Sequence, residues 1–414
     1  MLSDTSKRIE PWIGPKWVSS RYNFADDALS QLHFPERIVI YDVTLRDGEQ
    51  MPGIVFRKDE RIRIAKALDE LGIPRIEVGL PGSTNEDFEA IKEIARLGLK
   101  SQIGVFSRAR KDDIDLAAKC EVDSIVISLP SSTDMIEKGF GWTKEKVKEL
   151  AVEMTRYAKE QGLYVTYFAV DSTRADPTFL KELMTTVVDK SDVDAVAVVD
   201  TYGCASPQAI SHLVSQVRSW VDVPIEAHTH NEMGLATANS IAALAAGAET
   251  VHTTFNGIGE RSGMTPTEEL AVALRILYNI DLGLKYDKLN ETSKIIEEAH
   301  GIKMPSYKPV VGETAFGYEA GIPVMISHRL IAQNLLQAGI SYLPEFVGNK
   351  LVITLGKKSG KHGVRQRLDQ KKIEATDEQI EEMLLKVKET SIRNKRAITD
   401  EEFDDIAREV LSKK

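Results

Sequence analysis

The chain of 414 residues carries 53 Lys+Arg against 63 Asp+Glu, a formal charge of −10, and 42% of its residues are apolar. That acidic balance, with no sustained basic stripe, argues against nucleic acid or an anionic membrane as a partner, and the length suits one large barrel with appendages or two to three smaller units. Two distant cysteines, Cys120 and Cys204, make neither a disulfide framework nor a zinc ribbon, and no apolar run approaches a membrane span or a signal-peptide core, so a cytoplasmic setting is expected.

Residues 1–36 set Trp12, Pro15, Trp17, Tyr22 and Phe24 among polar side chains without helical or strand period, which predicts an arm that packs elsewhere. From 37–43 onward, short β-branched runs alternate with longer amphipathic stretches. The first of these is a helix from Asp59, with Ile64, Ala67, Leu68 and Leu71 on one face. Further strands are predicted at 75–79, 102–106, 124–128, 164–170, 195–200, 224–230 and 250–255. Eight strands separated by crossover helices over roughly 250 residues predict an α/β fold, a (β/α)8 TIM barrel. A doubly wound open sheet is the alternative, but no nucleotide loop follows the first strand. Beyond residue 290 the pattern changes to helices with Gly and Pro breaks, and Thr376-Asp377-Glu378 and Thr399-Asp400-Glu401 each read as a helix start. The expected organisation is an N-terminal arm (1–36), a barrel (37–290), a linker subdomain (291–366) and a small helical C-terminal region (367–414).

A barrel of this kind places its chemistry at the C-terminal ends of its strands. The first strand runs into Arg46, Asp47, Glu49 and Gln50, a cation, two carboxylates and an amide at the mouth. The seventh ends in His228 and His230, whose i, i+2 spacing turns both imidazoles to one side, as a shared metal requires. After the eighth, Asn256 offers a carbonyl oxygen. Asp47, His228, His230 and Asn256 form a mixed nitrogen and oxygen set with open positions, suited to zinc, manganese or magnesium. Such an ion polarises the keto group of a chelating 2-oxo acid, and Arg46 is placed to stabilise the developing alkoxide.

On residues 45–50, 76–81, 200–203, 228–231 and 256–263, continued through 311–316 and 356–362, the chain resembles the metal-dependent acyl-CoA condensing enzymes: 2-isopropylmalate, homocitrate and citramalate synthases, relatives of 3-hydroxy-3-methylglutaryl-CoA lyase. The resemblance implies that Arg46 is catalytic and contacts substrate with Gln50 and Thr201. It also implies that Asp47, His228 and His230 bind a divalent metal completed by Asn256, that acetyl-CoA and a 2-oxo acid are the substrates, and that the chain is a homodimer. Condensation is favoured because the C-terminal motifs follow the synthases and the cysteine loop of the lyases is absent. A carbon–carbon lyase or aldolase, or a non-catalytic metabolite-binding relative, is the alternative. Four positions depart from the pattern: Pro323 stands where the synthases carry a histidine base, Val170 replaces a glutamate, Glu232 an aspartate, and Met264 an asparagine. His328 is the candidate replacement base.

Overall fold

The structure, a computed structural model, describes residues 10–413. Eight strands, β1 (Val39–Asp42), β2 (Arg75–Glu77), β3 (Gln102–Ser107), β4 (Ser124–Pro130), β5 (Tyr164–Val170), β6 (Ala195–Asp200), β7 (Ile225–Thr229) and β8 (Thr250–Thr253), form a closed parallel barrel. Each pairs with its sequence neighbour, and β8 closes on β1 with Tyr41 opposite His252. This is the architecture read from the sequence. All six residues of β6, Ala-Val-Ala-Val-Val-Asp, are buried, because a strand between the barrel interior and the helix ring has no solvent face.

The ring is made by α1 (Lys58–Leu71), α2 (Asn85–Ala95), α3 (Lys111–Cys120), α4 (Lys144–Glu160), α5 (Pro177–Ser191), α6 (Pro207–Trp220), α7 (Ala236–Ala245) and α8 (Thr267–Leu277). Helix α1 buries Ile64, Ala65, Leu68 and Leu71, and stops at Gly72, whose φ of 102° supplies the left-handed cap. Asp176 and Ser206 cap α5 and α6, each followed by a proline at the first helical position, where no amide hydrogen is needed. A ninth helix, α9 (Leu289–His300), runs unbroken across the expected boundary at 290 and packs on α1.

The described residues divide into two compact units, one spanning Ser20–Met304 and the other joining the residues before Ser20 to those after Met304. The arm is thereby shared. In the barrel unit the His33 amide donates to the Ala245 carbonyl at 2.8 Å and Phe34 packs edge-on to Tyr278. In the other unit Trp17 is buried, with its ring 5.3 Å from Phe346. Residues 1–9 of the predicted arm lie outside the described residues.

The second unit contains α10 (Gly321–Ile331), a short parallel ladder of β9 (Gly317–Tyr318) with β10 (Val352–Ile353), and three helices, α11 (Lys361–Lys371), α12 (Asp377–Asn394) and α13 (Asp400–Leu411). Val364, Leu368, Met383, Val387, Phe403 and Val410 form its core. Both expected helix starts are capping boxes, Thr376 with Gln379 and Thr399 with Glu402.

Candidate active site

At the C-terminal end of β1 the chain turns sharply, and the amides of Arg46 and Asp47 both donate to the Val43 carbonyl, at 3.0 and 2.8 Å. The turn sends Arg46 inward. Its guanidinium lies 4.7 Å over the Phe106 ring, pairs with Asp47 at 2.5 Å and with Glu77, and donates from Nη1 to Gln50 Oε1 at 3.3 Å. Arg46 Nη2 and Glu77 Oε1 are buried and have no hydrogen-bond partner among the described residues. A buried guanidinium nitrogen without an acceptor carries a desolvation cost that an anionic ligand oxygen relieves. A cavity of about 510 Å³ opens beside it, lined by Arg46, Gln50, Leu80, Phe106 and Arg108.

Strand β7 brings His228 and His230 to the same mouth. Asp47, His228 and His230 are buried and present one ligand atom each within 4.8 Å of one another. His228 Nε2 is 3.2 Å from His230 Nε2 and 3.6 Å from Asp47 Oδ2. His230 Nδ1 faces the Gly263 carbonyl at 3.2 Å, and a carbonyl only accepts, so that nitrogen carries the proton and Nε2 is bare. Burial, followed by the neighbouring His230, His252 and Arg46, holds His228 well below the ordinary histidine range, so it stays neutral. Two imidazoles and a carboxylate converging at such distances fit a divalent cation, which takes the lone pairs that otherwise face one another.

The remaining predicted residues have different surroundings. Asn256 was expected to add an oxygen ligand, but the structure ties it elsewhere. Its backbone kinks at φ 62°, Oδ1 accepts from the Ser293 hydroxyl at 2.5 Å and Nδ2 donates to the Ser293 carbonyl at 3.1 Å, so α9 satisfies both ends of its amide. Thr201 Oγ1 accepts from the Asp171 amide at 2.8 Å, while its carbonyl accepts from Arg261. His328 is exposed on α10 in the second unit, the helix that also carries the half-buried Pro323. Val170 packs against an apolar cluster that includes Tyr41, Phe168 and Met264. The neighbouring Asp171 accepts from Ser132 at 2.5 Å and pairs with Arg174 at 2.7 Å, a structural role. Glu232 pairs with Arg261 at 2.6 Å.

Among the charged and polar residues of the barrel interior that the sequence did not single out are Arg75, Glu77, Glu226 and His252. Glu226 shares the face of His228 and His230 by strand alternation, and Glu77 is a carboxylate inside the short strand Arg75–Glu77; both are signals a sequence carries. His252 left none, because only closure of β8 on β1 and β7 makes it a neighbour of His228.

Comparison with known proteins places these features in a family. The HMGL-like family matches residues 37–296, and the homocitrate synthase post-HMGL domain-like family matches residues 310–395. Homocitrate synthase AksA of Methanothermobacter thermautotrophicus is 39% identical over 92% of this chain and 96% of its own length. The 2-isopropylmalate synthase of Methanocaldococcus jannaschii is 38% identical over 93% of this chain and 74% of its own. The (R)-citramalate synthase CimA of the same organism is 40% identical over 90% and 75%. With both family models matched in order along one chain and relatives of this similarity over nine-tenths of it, the chain belongs to the HMGL-like family, among its homocitrate, 2-isopropylmalate and citramalate synthase members.

Proposed function

We propose that the chain condenses an acyl-CoA, most simply acetyl-CoA, with a 2-oxo acid, using a divalent ion held by Asp47, His228 and His230, and that water then hydrolyses the thioester of the adduct to give a 2-hydroxy di- or tricarboxylic acid and free CoA. The observation that carries this reading is the convergence of that donor set beside the buried, unpartnered Nη2 of Arg46. A zinc, manganese or magnesium ion bound there supplies Lewis acidity to the keto oxygen of the acceptor. Arg46 donates to the oxygen on which negative charge develops, and Glu77 and Asp47 fix the guanidinium for that task before substrate arrives. Gln50 supports the guanidinium through its amide oxygen and keeps its NH2 for substrate; Thr201 contacts substrate at the end of β6. The acyl methyl must lose a proton before it attacks, and in this reading His328 accepts it, since Val170 and Pro323 have no proton-accepting group.

The test is free-thiol release from acetyl-CoA with a panel of 2-oxo acids, with and without Mn²⁺. Metal-dependent release with one acceptor is expected, lost by at least about 10²-fold in Asp47→Ala and reduced in His328→Ala with metal affinity retained. Silence across the panel in metal-loaded protein, with cleavage of a 3-hydroxyacyl-CoA instead, moves the chain to the lyases.

A further inference from the structure

Behind His228 lies a buried row of groups that the proposed chemistry does not use. His228 Nδ1 is 3.2 Å from His252 Nδ1, and His252 Nε2 is 2.7 Å from Glu226 Oε2. Glu226 Oε1 accepts from Arg75 Nη1 at 2.5 Å and from Thr166 Oγ1 at 3.1 Å. Glu226, His252 and His228 are at most 1% exposed. Tyr41 holds the His252 ring edge-on at 4.9 Å and Phe168 lies flat against it at 5.9 Å, while the Arg75 guanidinium stacks 4.2 Å over Tyr41. The rings have little freedom to turn over.

We propose that Glu226, acting through His252, is a positioning residue that holds His228 in the tautomer whose bare Nε2 faces Asp47 and His230. It rests on the reading of Asp47, His228 and His230 as the ligand set and adds what orients one ligand. Donor and acceptor logic runs in one direction along the row. Glu226 is paired with the Arg75 guanidinium at 2.5 Å, and a carboxylate beside an arginine, which is always charged, only accepts. His252 therefore carries its proton on Nε2, and its Nδ1 is an acceptor. The His228 Nδ1 opposite must donate, which leaves its Nε2 bare. His230 reaches the same state by the Gly263 carbonyl alone. A carboxylate one ring away thus does for His228 what a direct acceptor does for most metal-bound histidines, with Arg75 paired to that carboxylate in a dry interior.

The experiment uses metal-free full-length protein labelled with ¹⁵N at its eight histidines, together with Co²⁺ titration followed by its visible absorption. In wild type, His228 Nε2 is expected as a pyridine-type nitrogen. In Glu226→Gln, Arg75 retains the amide oxygen and the NH2 turns to His252, so every donor in the row reverses. His228 Nε2 should then appear protonated, with Co²⁺ affinity reduced about 10- to 100-fold. His252→Gln can donate to Glu226 and accept from His228, and should stay within roughly threefold of wild type; His252→Leu should lose about tenfold or more. A folded Glu226→Gln with an unchanged His228 signal and unchanged affinity overturns the proposal. Should that variant fail to fold, equal affinities of His252→Gln and His252→Leu overturn it. Failure of the ligand reading is distinct: wild type then binds no Co²⁺, while the ¹⁵N signals of metal-free protein still decide the tautomer.

Discussion

Burial lifts the Asp42 carboxyl to about 6, against hydrogen bonds from Thr44 at 3.0 Å and Thr267 at 2.9 Å that pull it down. In the unfolded chain the same group titrates near 4. Between these values the folded protein binds a proton that the unfolded chain does not, so this group's contribution is fully present below about pH 4 and is lost as pH rises through 6. Asp42→Asn should remove that slope. Urea unfolding of both proteins from pH 4 to pH 7 is expected to show the wild type losing up to about 3 kcal/mol relative to the variant, with other titrations cancelling in the difference. A difference that does not change with pH rejects the assignment. Asp47, His228 and His230 were legible in the sequence because strand alternation and a strand-end charge cluster are local patterns. The hydrogen bonds of Asn256 were not legible there, since its partner Ser293 lies on a helix far along the chain and a kinked backbone turns the amide to it.

The loop between β8 and α8 shows how an element can orient a side chain it does not carry. Gly263 takes φ 79°, and a Cβ there would stand 1.9 Å from the Gly257 carbonyl oxygen. That close turn aims the Gly263 carbonyl at both the Asn231 amide and His230 Nδ1. Gly263→Ala should therefore displace the carbonyl that fixes His230. A fall of about tenfold or more in Co²⁺ affinity, together with a lower melting temperature, is expected by titration and calorimetry. Unchanged affinity in a destabilised variant would show that the loop serves stability alone. Strand and helix alternation was readable because strands such as β6 are near-continuous apolar runs and the helices carry one apolar stripe. The exact ends were less so: β8 stops at Thr253 because Asn256 bends the chain into a short 3-10 turn.

For the whole molecule, the sequence leads to the expectation of a homodimer, and α10 leaves Ile322 and Ile326 69% and 45% exposed. Sedimentation equilibrium is expected to return twice the chain mass at micromolar concentration, and a monomer mass overturns the reading. No described helix is long and apolar enough to cross a membrane.

The sequence by itself determined the barrel, the strand ends that carry Asp47, His228 and His230, and the helix starts at Thr376 and Thr399, since each follows from the periodicity or local chemistry of a few adjacent residues. Only the tertiary structure decided that Arg46 is clamped by Glu77, that the arm is divided between two units, and that His228 is backed by His252, Glu226 and Arg75. Those relations join residues from different strands across the closed barrel or from opposite ends of the chain. Register and closure set them, and no local pattern encodes either.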